Sequence, residues 1–119
     1  MEFLPYLFIC LFHWIADFIL QTDWQAKNKS KAWKPLLMHT GNYSVVMGIV
    51  AAFILPYGFA PVIYFVAITF LCHTVTDYVT SRINARLWGK QKVHLFFVSV
   101  GFDQLLHYAQ LFITYDLLK

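Results

Sequence analysis

Acidic residues are scarce in this sequence, and glutamate is nearly absent: Glu2 is the only one among six acidic positions in 119 residues. That excludes the di-iron carboxylate bundles, whose helices carry Glu-x-x-His pairs, and the His-Glu-x-x-His zinc hydrolases. Glycine numbers five and never clusters, so there is no phosphate-cradling loop and no Gly-x-Ser-x-Gly nucleophile turn. The two cysteines, Cys10 and Cys72, fall inside apolar runs and say little about redox compartment. They are read as buried free thiols, with Cys10 an outlying ligand candidate. Charge of either sign is short as well. The charged fraction is 13%, against roughly 25% in an average globular chain, which argues against an ordinary soluble domain.

What fills the sequence is apolar residues, at 60%, and they come in runs. Leu4 to Leu20, Leu36 to Leu55, Val62 to Val79 and Val93 to Leu118 each approach the ~20 residues that cross a bilayer, if a few polar residues are tolerated. So short a chain cannot bury four helices that are hydrophobic all round. The expected fold is therefore all-α: a single polytopic domain over 1–119, an integral membrane four-helix bundle with helices at about 3–20, 36–55, 61–85 and 93–117. The start, "MEFLPYLF", has no basic segment of the kind a cleaved signal needs, so the first helix is expected to be retained.

Eight of the nine Lys and Arg residues lie in two of the three connections. Lys27, Lys29, Lys31 and Lys34 are in the first, and Arg82, Arg86, Lys90 and Lys92 in the third. In a four-span chain these connections share a side, and the positive-inside rule makes that side cytoplasmic, with both termini and the "PYGFAP" turn outward. Trp24, Trp33 and Trp88 flank the basic loops, where an aromatic belt sits. The net charge of +3 is thus a topology determinant and a contact for anionic lipid, not a nucleic-acid signal.

Each apolar run carries one polar edge at steps of three and four, the spacing of one helix face. The edges are Tyr6, Cys10, His13, Asp17 and Gln21; His39, Asn42 and Tyr43; Thr69, His73, Thr76, Asp77, Thr80 and Asn84; and Ser99, Asp103, His107 and Gln110. In lipid such faces must turn inward, since a charge at the bilayer centre costs at least ~2.5 kcal/mol. The order is His13 then Asp17, His73 then Asp77, but Asp103 then His107 on the helix that runs the other way. Antiparallel packing therefore brings Asp17, Asp77 and Asp103 into one layer, His13, His73 and His107 into a deeper one, and His39 beside the aspartates. The matching His13–Asp17–Phe18 and His73–Asp77–Tyr78 segments also suggest two related helical hairpins.

Histidines and aspartates in adjoining layers are what a metal site needs. Unmetallated, three carboxylates would repel and take up protons. The expected ligands are His13, Asp17, His39, His73, Asp77, Asp103 and His107. Zinc suits this donor set first, with manganese, iron or nickel as alternatives. Either two metals, or one metal with aspartates orienting the imidazoles, fit the count. Structural hydrogen bonding between helices is the bland alternative. His94 has no acidic partner one turn away and is read as ordinary, and Asp23 and Asp116 as solvated.

"HWIADFILQTDWQAKNKS", His39, "HTVTDY" and "DQLLH" together resemble a family of small bacterial and phage-borne polytopic membrane proteins whose function is unknown. The most specific piece is H-x-x-x-D-F-x-L-Q, met by His13, Asp17, Phe18, Leu20 and Gln21. The resemblance implies a bacterial inner membrane. A fainter analogy runs to membrane-bound metal-dependent hydrolases, which also set His and Asp on apolar helices, although their L-P-D-x-D run is missing here. The leading expectation is metal-dependent hydrolysis of a lipid or membrane-proximal ester from the cytoplasmic leaflet. Asp17, Asp77 and Asp103 are the candidate catalytic groups, and Lys34, Arg82, Arg86 and Lys92 are placed to hold an anionic headgroup. An ion, metal or proton transport site, or a non-catalytic membrane partner of phage type with a structural metal, stays open. The implied partners are membrane lipid and a divalent metal, with a second copy of the chain an open alternative.

The charge asymmetry carries its own test. With the native cysteines removed, a cysteine at Arg86 should resist an impermeant thiol reagent in intact cells, and one at Gly58 should react. The opposite pattern overturns the orientation.

Overall fold

The computed structural model describes residues 2–119 and is all-α, with no strand among the described residues. Helix α1, Leu4–Trp14, continues through a π turn at Ile15–Ile19. It is followed by α2, Asp23–Asn28; α3, Trp33–Ile54; α4, Phe59–Gly89; and α5, Val93–Leu118. Local chemistry sets several of the ends. Pro5 occupies the first turn of α1, where its missing N–H is no loss. The α3–α4 turn passes through Pro56 and Gly58, and Gly58 has φ +85°, which glycine adopts without a Cβ penalty. Helix α4 ends in a Schellman closure: Lys92 N–H donates to Leu87 O and Gln91 N–H to Trp88 O, both at 2.9 Å. Gln91 takes the left-handed position of that motif at φ 57°, where glycine is usual.

Two features depart from the sequence reading. The first connection contains a short helix rather than a plain loop. Its start is a capping box: Gln25 N–H donates to Thr22 Oγ1 and Thr22 N–H to Gln25 Oε1, each at 3.1 Å. The second is the π turn. Leu20 N–H donates to Ile15 O, five residues back, at 2.9 Å. The inserted residue advances all that follows by about 100° around the axis, one residue's share of a 3.6-residue turn. Asp17 lies within this turn.

Helix α4 packs along both α3 and α5, while α1 lies mainly on α3 and touches α5. Helix α2 folds against α3. The α3–α4 seam is closest at Gly48, where an added Cβ would lie 2.6 Å from Val66 Cγ2.

The interior is divided along its length. Toward the α3–α4 turn it is apolar, built from Ile9, Met47, Val50, Ala51, Phe65 and Leu111. Toward the basic connections it is polar, and His13, Asp17, His39, His73, Asp77, Asp103 and His107 are all buried. The outside inverts this pattern: Phe53 and Phe59 are more than four-fifths exposed. Asn42, assigned by spacing to the inner edge of its helix, is exposed, and Thr40 and Ser44 are buried with His39 and Tyr43 instead. Cys72, expected to be buried, faces outward, and Cys10 is half-buried. Helices α3 and α4 are long and apolar enough to cross a membrane. The apolar stretch Leu4–Ile19 is shorter, and the apolar run of the continuous helix α5 is interrupted by Asp103, Gln104, His107 and Gln110.

The Gly48 approach predicts a stability contrast. Gly48→Ala should cost about 1–3 kcal/mol through overpacking against the stiff Val66. Val66→Ala should recover part of it, a coupling the double mutant measures. Gly41→Ala, with open space around it, should be neutral or stabilising by up to about 1 kcal/mol. Thermal unfolding in detergent distinguishes the three.

Candidate metal centre

Four helical segments each bring one or two donors to the polar half: Asp17 from the π turn, His39 from α3, His73 and Asp77 from α4, and Asp103 and His107 from α5. In α4 and α5 the pair is one turn apart, so both side chains share the inner face. His39 Nε2 lies 3.0 Å from Asp17 Oδ1 and 3.2 Å from Asp77 Oδ2. His73 Nε2 lies 3.5 Å from each of the same two oxygens. The two Nε2 atoms face each other at 3.3 Å. These atoms outline a compact tetrahedron, and Asp17, His39, His73 and Asp77 are together positioned to hold a metal ion.

A second group adjoins the first through a shared residue. Asp17, Asp103 and His107 also converge closely enough to hold an ion. His107 Nε2 is 3.2 Å from Asp103 Oδ1 and 3.3 Å from Asp77 Oδ1. It is buried, yet it makes no hydrogen bond of acceptable geometry among the described residues. A nitrogen left without an aligned partner beside two carboxylates fits a ligand atom better than a structural hydrogen bond, because a buried orphan is costly.

The carboxylates are held from behind. Thr80 Oγ1 donates to Asp103 Oδ1 at 2.6 Å. The Gln104 amide donates to Asp17 Oδ2 at 3.3 Å and to Asp103 Oδ2 at 3.1 Å. Its carbonyl Oε1 lies 2.6 Å from His13 Nε2, and His13 Nδ1 lies 2.6 Å from the Tyr43 hydroxyl. With the amide N turned to the carboxylates, Oε1 accepts from His13 Nε2–H, and Nδ1 accepts from Tyr43. Both nitrogens of His13 are thereby used. The sequence reading counted His13 as a ligand, but here it stands outside both donor groups and orients Gln104. His73 is clamped between the Tyr43 ring at 3.9 Å and the His107 ring at 4.2 Å.

One cation reaches the cluster. Lys29 Nζ, from the end of the first basic connection, is 2.9 Å from Asp77 Oδ2. Burial opposes its charge, but the Asp77 and Asp17 carboxylates outweigh that and raise the ammonium above its ordinary value. With neutral imidazoles, three carboxylates against one ammonium leave two negative charges, which one divalent ion balances. Lys34, Arg86 and Lys92 are exposed. The Arg82 guanidinium lies 3.6 Å over the Tyr78 ring. None of these four makes a hydrogen bond or ion pair to the cluster among the described residues. His94 is exposed as well.

Spacing missed Gln104, Lys29 and Tyr43's link to His13. Gln104 follows Asp103 directly and is off the edge that steps of four pick out. Lys29 is one lysine in a run of similar ones, and only the fold of α2 singles it out.

A family model described as a protein of unknown function (DUF3307) matches residues 4–119. No curated protein and no solved structure matches.

The donor geometry predicts unequal histidines. His39→Ala and His73→Ala should each lower the metal content of the purified protein, since each removes one of four donors. His94→Ala should leave it unchanged. His13→Gln should keep most of the metal while loosening Gln104. Elemental analysis of the four variants checks this, and equal metal in wild type and the His39/His73 double variant rules the centre out.

Proposed function

The chain belongs to the DUF3307 family, whose function is unknown, and we propose that it is a membrane-embedded, zinc-dependent hydrolase acting on a lipid or membrane-proximal ester. The membrane reading has three supports. The outer faces are apolar while the buried set is rich in polar side chains, the reverse of a soluble domain. The long axis is 47 Å, close to the ~40–45 Å of a bilayer with its headgroups. Eight of nine Lys and Arg residues lie in the two connections at one end or on the helix turns beside them, Lys34 on α3 and Arg82 and Arg86 on α4, which orients that end to the cytoplasm of a bacterial inner membrane. The proposed unit is one polytopic domain of four membrane helices, with α2 at the interface.

Zinc is favoured by the size of the donor tetrahedron. Ligands ~2.0–2.1 Å from a tetrahedral zinc sit roughly 3.3–3.4 Å apart, and the five distances given above run from 3.0 to 3.5 Å. A four-donor set is closed, as structural zinc sites are. The observation that carries the catalytic reading is the second group. Asp17, Asp103 and His107 supply only three donors, as catalytic sites do when one position is kept for water and substrate; a second ion sharing Asp17, as in two-metal hydrolases, would draw its balancing charge from hydroxide and an anionic substrate.

Bound metal would lower the pKa of a water toward ~7 and polarise the ester. The rest falls to the chain's own side chains. Asp77 turns Oδ2 to His39 and His73 and Oδ1 to the three-donor group, so Oδ1 is the base that takes the water's proton. The water oxygen bonds to the acyl or phosphoryl centre, the ester C–O or P–O bond breaks, and the proton passes to the departing alkoxide. Lys29, on Asp77, offsets charge that develops there. Thr80, Gln104 and, through Gln104, His13 keep Asp17 and Asp103 from rotating out of place. Lys34, Arg82, Arg86 and Lys92 add positive charge on the same side and attract an anionic substrate.

A proton or ion site is the second reading, because two imidazolium protons balance the same two charges as one divalent ion. The apolar half of the interior, with Ile9, Met47, Phe65 and Leu111, offers such a path little to continue on.

The deciding comparison is among Asp17→Asn, Asp77→Asn and Asp103→Asn. Asn keeps one acceptor oxygen and removes the basicity. Asp77→Asn should fold, weaken the four-donor group, keep metal at the three-donor group, which lacks Asp77, and lose about 10²–10⁴-fold in hydrolytic rate, the usual cost of a general base. Asp17→Asn should lose metal from both groups. Metal stoichiometry, thermal stability and ester hydrolysis are measured side by side. If activity falls only in step with metal or stability in all three, the centre is structural.

A further inference from the structure

Between α2, the start of α5 and the end of α4 lies a cleft of about 660 Å³, within the ~300–1,000 Å³ range of ligand sites. Its inner end meets the metal centre through Lys29, which both lines the cleft and contacts Asp77. Gln21 lies in the bend just after the π turn that holds Asp17, and Ser81 and Asn84 follow Asp77 on α4, so the segments that carry these two carboxylates lead directly into the cleft wall.

Three polar atoms in this wall have no partner. Gln21 Oε1, Ser81 Oγ and Asn84 Oδ1 are buried and unbonded among the described residues. Ser81 is only 8% exposed. Buried polar atoms are almost always paired, because an orphan forfeits its bond to water and gains none in return. Gln21 Oε1 and Asn84 Oδ1 can only accept, so three orphans on one wall point to a ligand whose head carries O–H donors. The two amides offer N–H donors as well as carbonyl acceptors, and the hydroxyl can do either.

The remaining wall sets the rest of the ligand's character. Lys27 and Lys31 line the mouth beside Lys29, so the head carries negative charge. Trp88, one turn beyond Asn84, and Phe96 and Phe97 from α5 also line the cleft, and most of the lining surface is apolar, so part of the ligand is a hydrocarbon chain. Trp88 and Phe97 are also more than half exposed, which lets a chain leave the cleft sideways. Lys34, Arg82, Arg86 and Lys92 do not line it.

We propose that this cleft binds the head and upper chain of an anionic phosphate-ester amphiphile, with Gln21 and Asn84 accepting from O–H groups of its head, Ser81 bonding an oxygen there, and Lys27 and Lys31 neutralising its phosphate. The proposal rests on the hydrolase reading only for the fate of the ligand, since recognition requires no chemistry at the metal centre.

The experiment is mass spectrometry of the intact, metal-loaded protein released from neutral detergent with phosphatidic acid, phosphatidylcholine or glycerol phosphate. The variants are Asn84→Leu, which fills the wall, and Lys27→Gln/Lys31→Gln, whose side chains lie at the surface and spare the fold. Phosphatidic acid should be retained roughly tenfold or more over phosphatidylcholine, the scale of one charge-assisted hydrogen bond. Both variants should lose that preference while their metal content stays at the wild-type level. Equal retention of the two lipids by the wild type overturns the proposal, as does an undiminished preference in both variants. Glycerol phosphate binding as tightly as phosphatidic acid overturns the amphiphile in favour of a soluble phosphate. Lipid preference in a protein that takes up no metal sinks the hydrolase and leaves this site standing; metal without lipid preference does the reverse.

Discussion

Three carboxylates share the interior of this small helical protein, and the rest of the structure is arranged around keeping them there. Asp17, Asp77 and Asp103 are each at least nine-tenths buried, and like charges at that range repel strongly once water is excluded. The compensation is built from every side. Lys29 closes on Asp77, Thr80 and Gln104 donate to Asp103 and Asp17, and three imidazoles fill the space between. Removing one partner from such a set leaves a buried charge uncovered, the costliest kind of loss. The same arrangement makes the centre a receptor for a divalent ion, because the ion relieves a repulsion that the fold has already imposed.

This constraint explains the division of the interior. The carboxylates and imidazoles lie toward the end where the lysines and arginines are. Lys29 can reach Asp77 only because α2 folds its connection back over α3, and α2 exists because Thr22 and Gln25 cap each other. The opposite half has no charge to satisfy and packs as hydrocarbon, tightly enough at Gly48 and Val66 to leave no room for a methyl group. Binding, the proposed chemistry and the cleft therefore all belong to one end, and the apolar end acts as a plug and frame.

The π turn connects fold to site. A regular helix would carry Asp17 and the residues after it around the axis by one residue less. With the extra residue, Asp17 faces His39 and Gln104 together, and Gln21 lines the cleft. Such bulges are frequent at functional sites, and here the reason is concrete: the segment must present one carboxylate to neighbours on two other helices just before the chain leaves the helix.

Periodicity made much legible before any coordinates. Apolar runs implied an all-α chain, steps of four marked His73–Asp77 and Asp103–His107 as inner edges, and the reversed order in the last helix implied that these pairs would meet. Those signals survive because a 3.6-residue period and antiparallel packing are properties of the chain itself. Spacing could not tell ligand from orienting residue. His13 has the same spacing as His73, yet it is turned to Gln104 and Tyr43, because which neighbour a ring nitrogen meets depends on the π turn and on α5. It could not find Gln104, which lies one residue off the edge, or pick Lys29 from among equivalent lysines, or keep Asn42 outside and Thr40 inside. Helix class and the inward faces follow from local sequence, since burial selects a face residue by residue. The donor tetrahedron, the lysine on Asp77 and the unpaired wall of the cleft follow only from tertiary structure, since each is a distance between side chains that distant segments bring together.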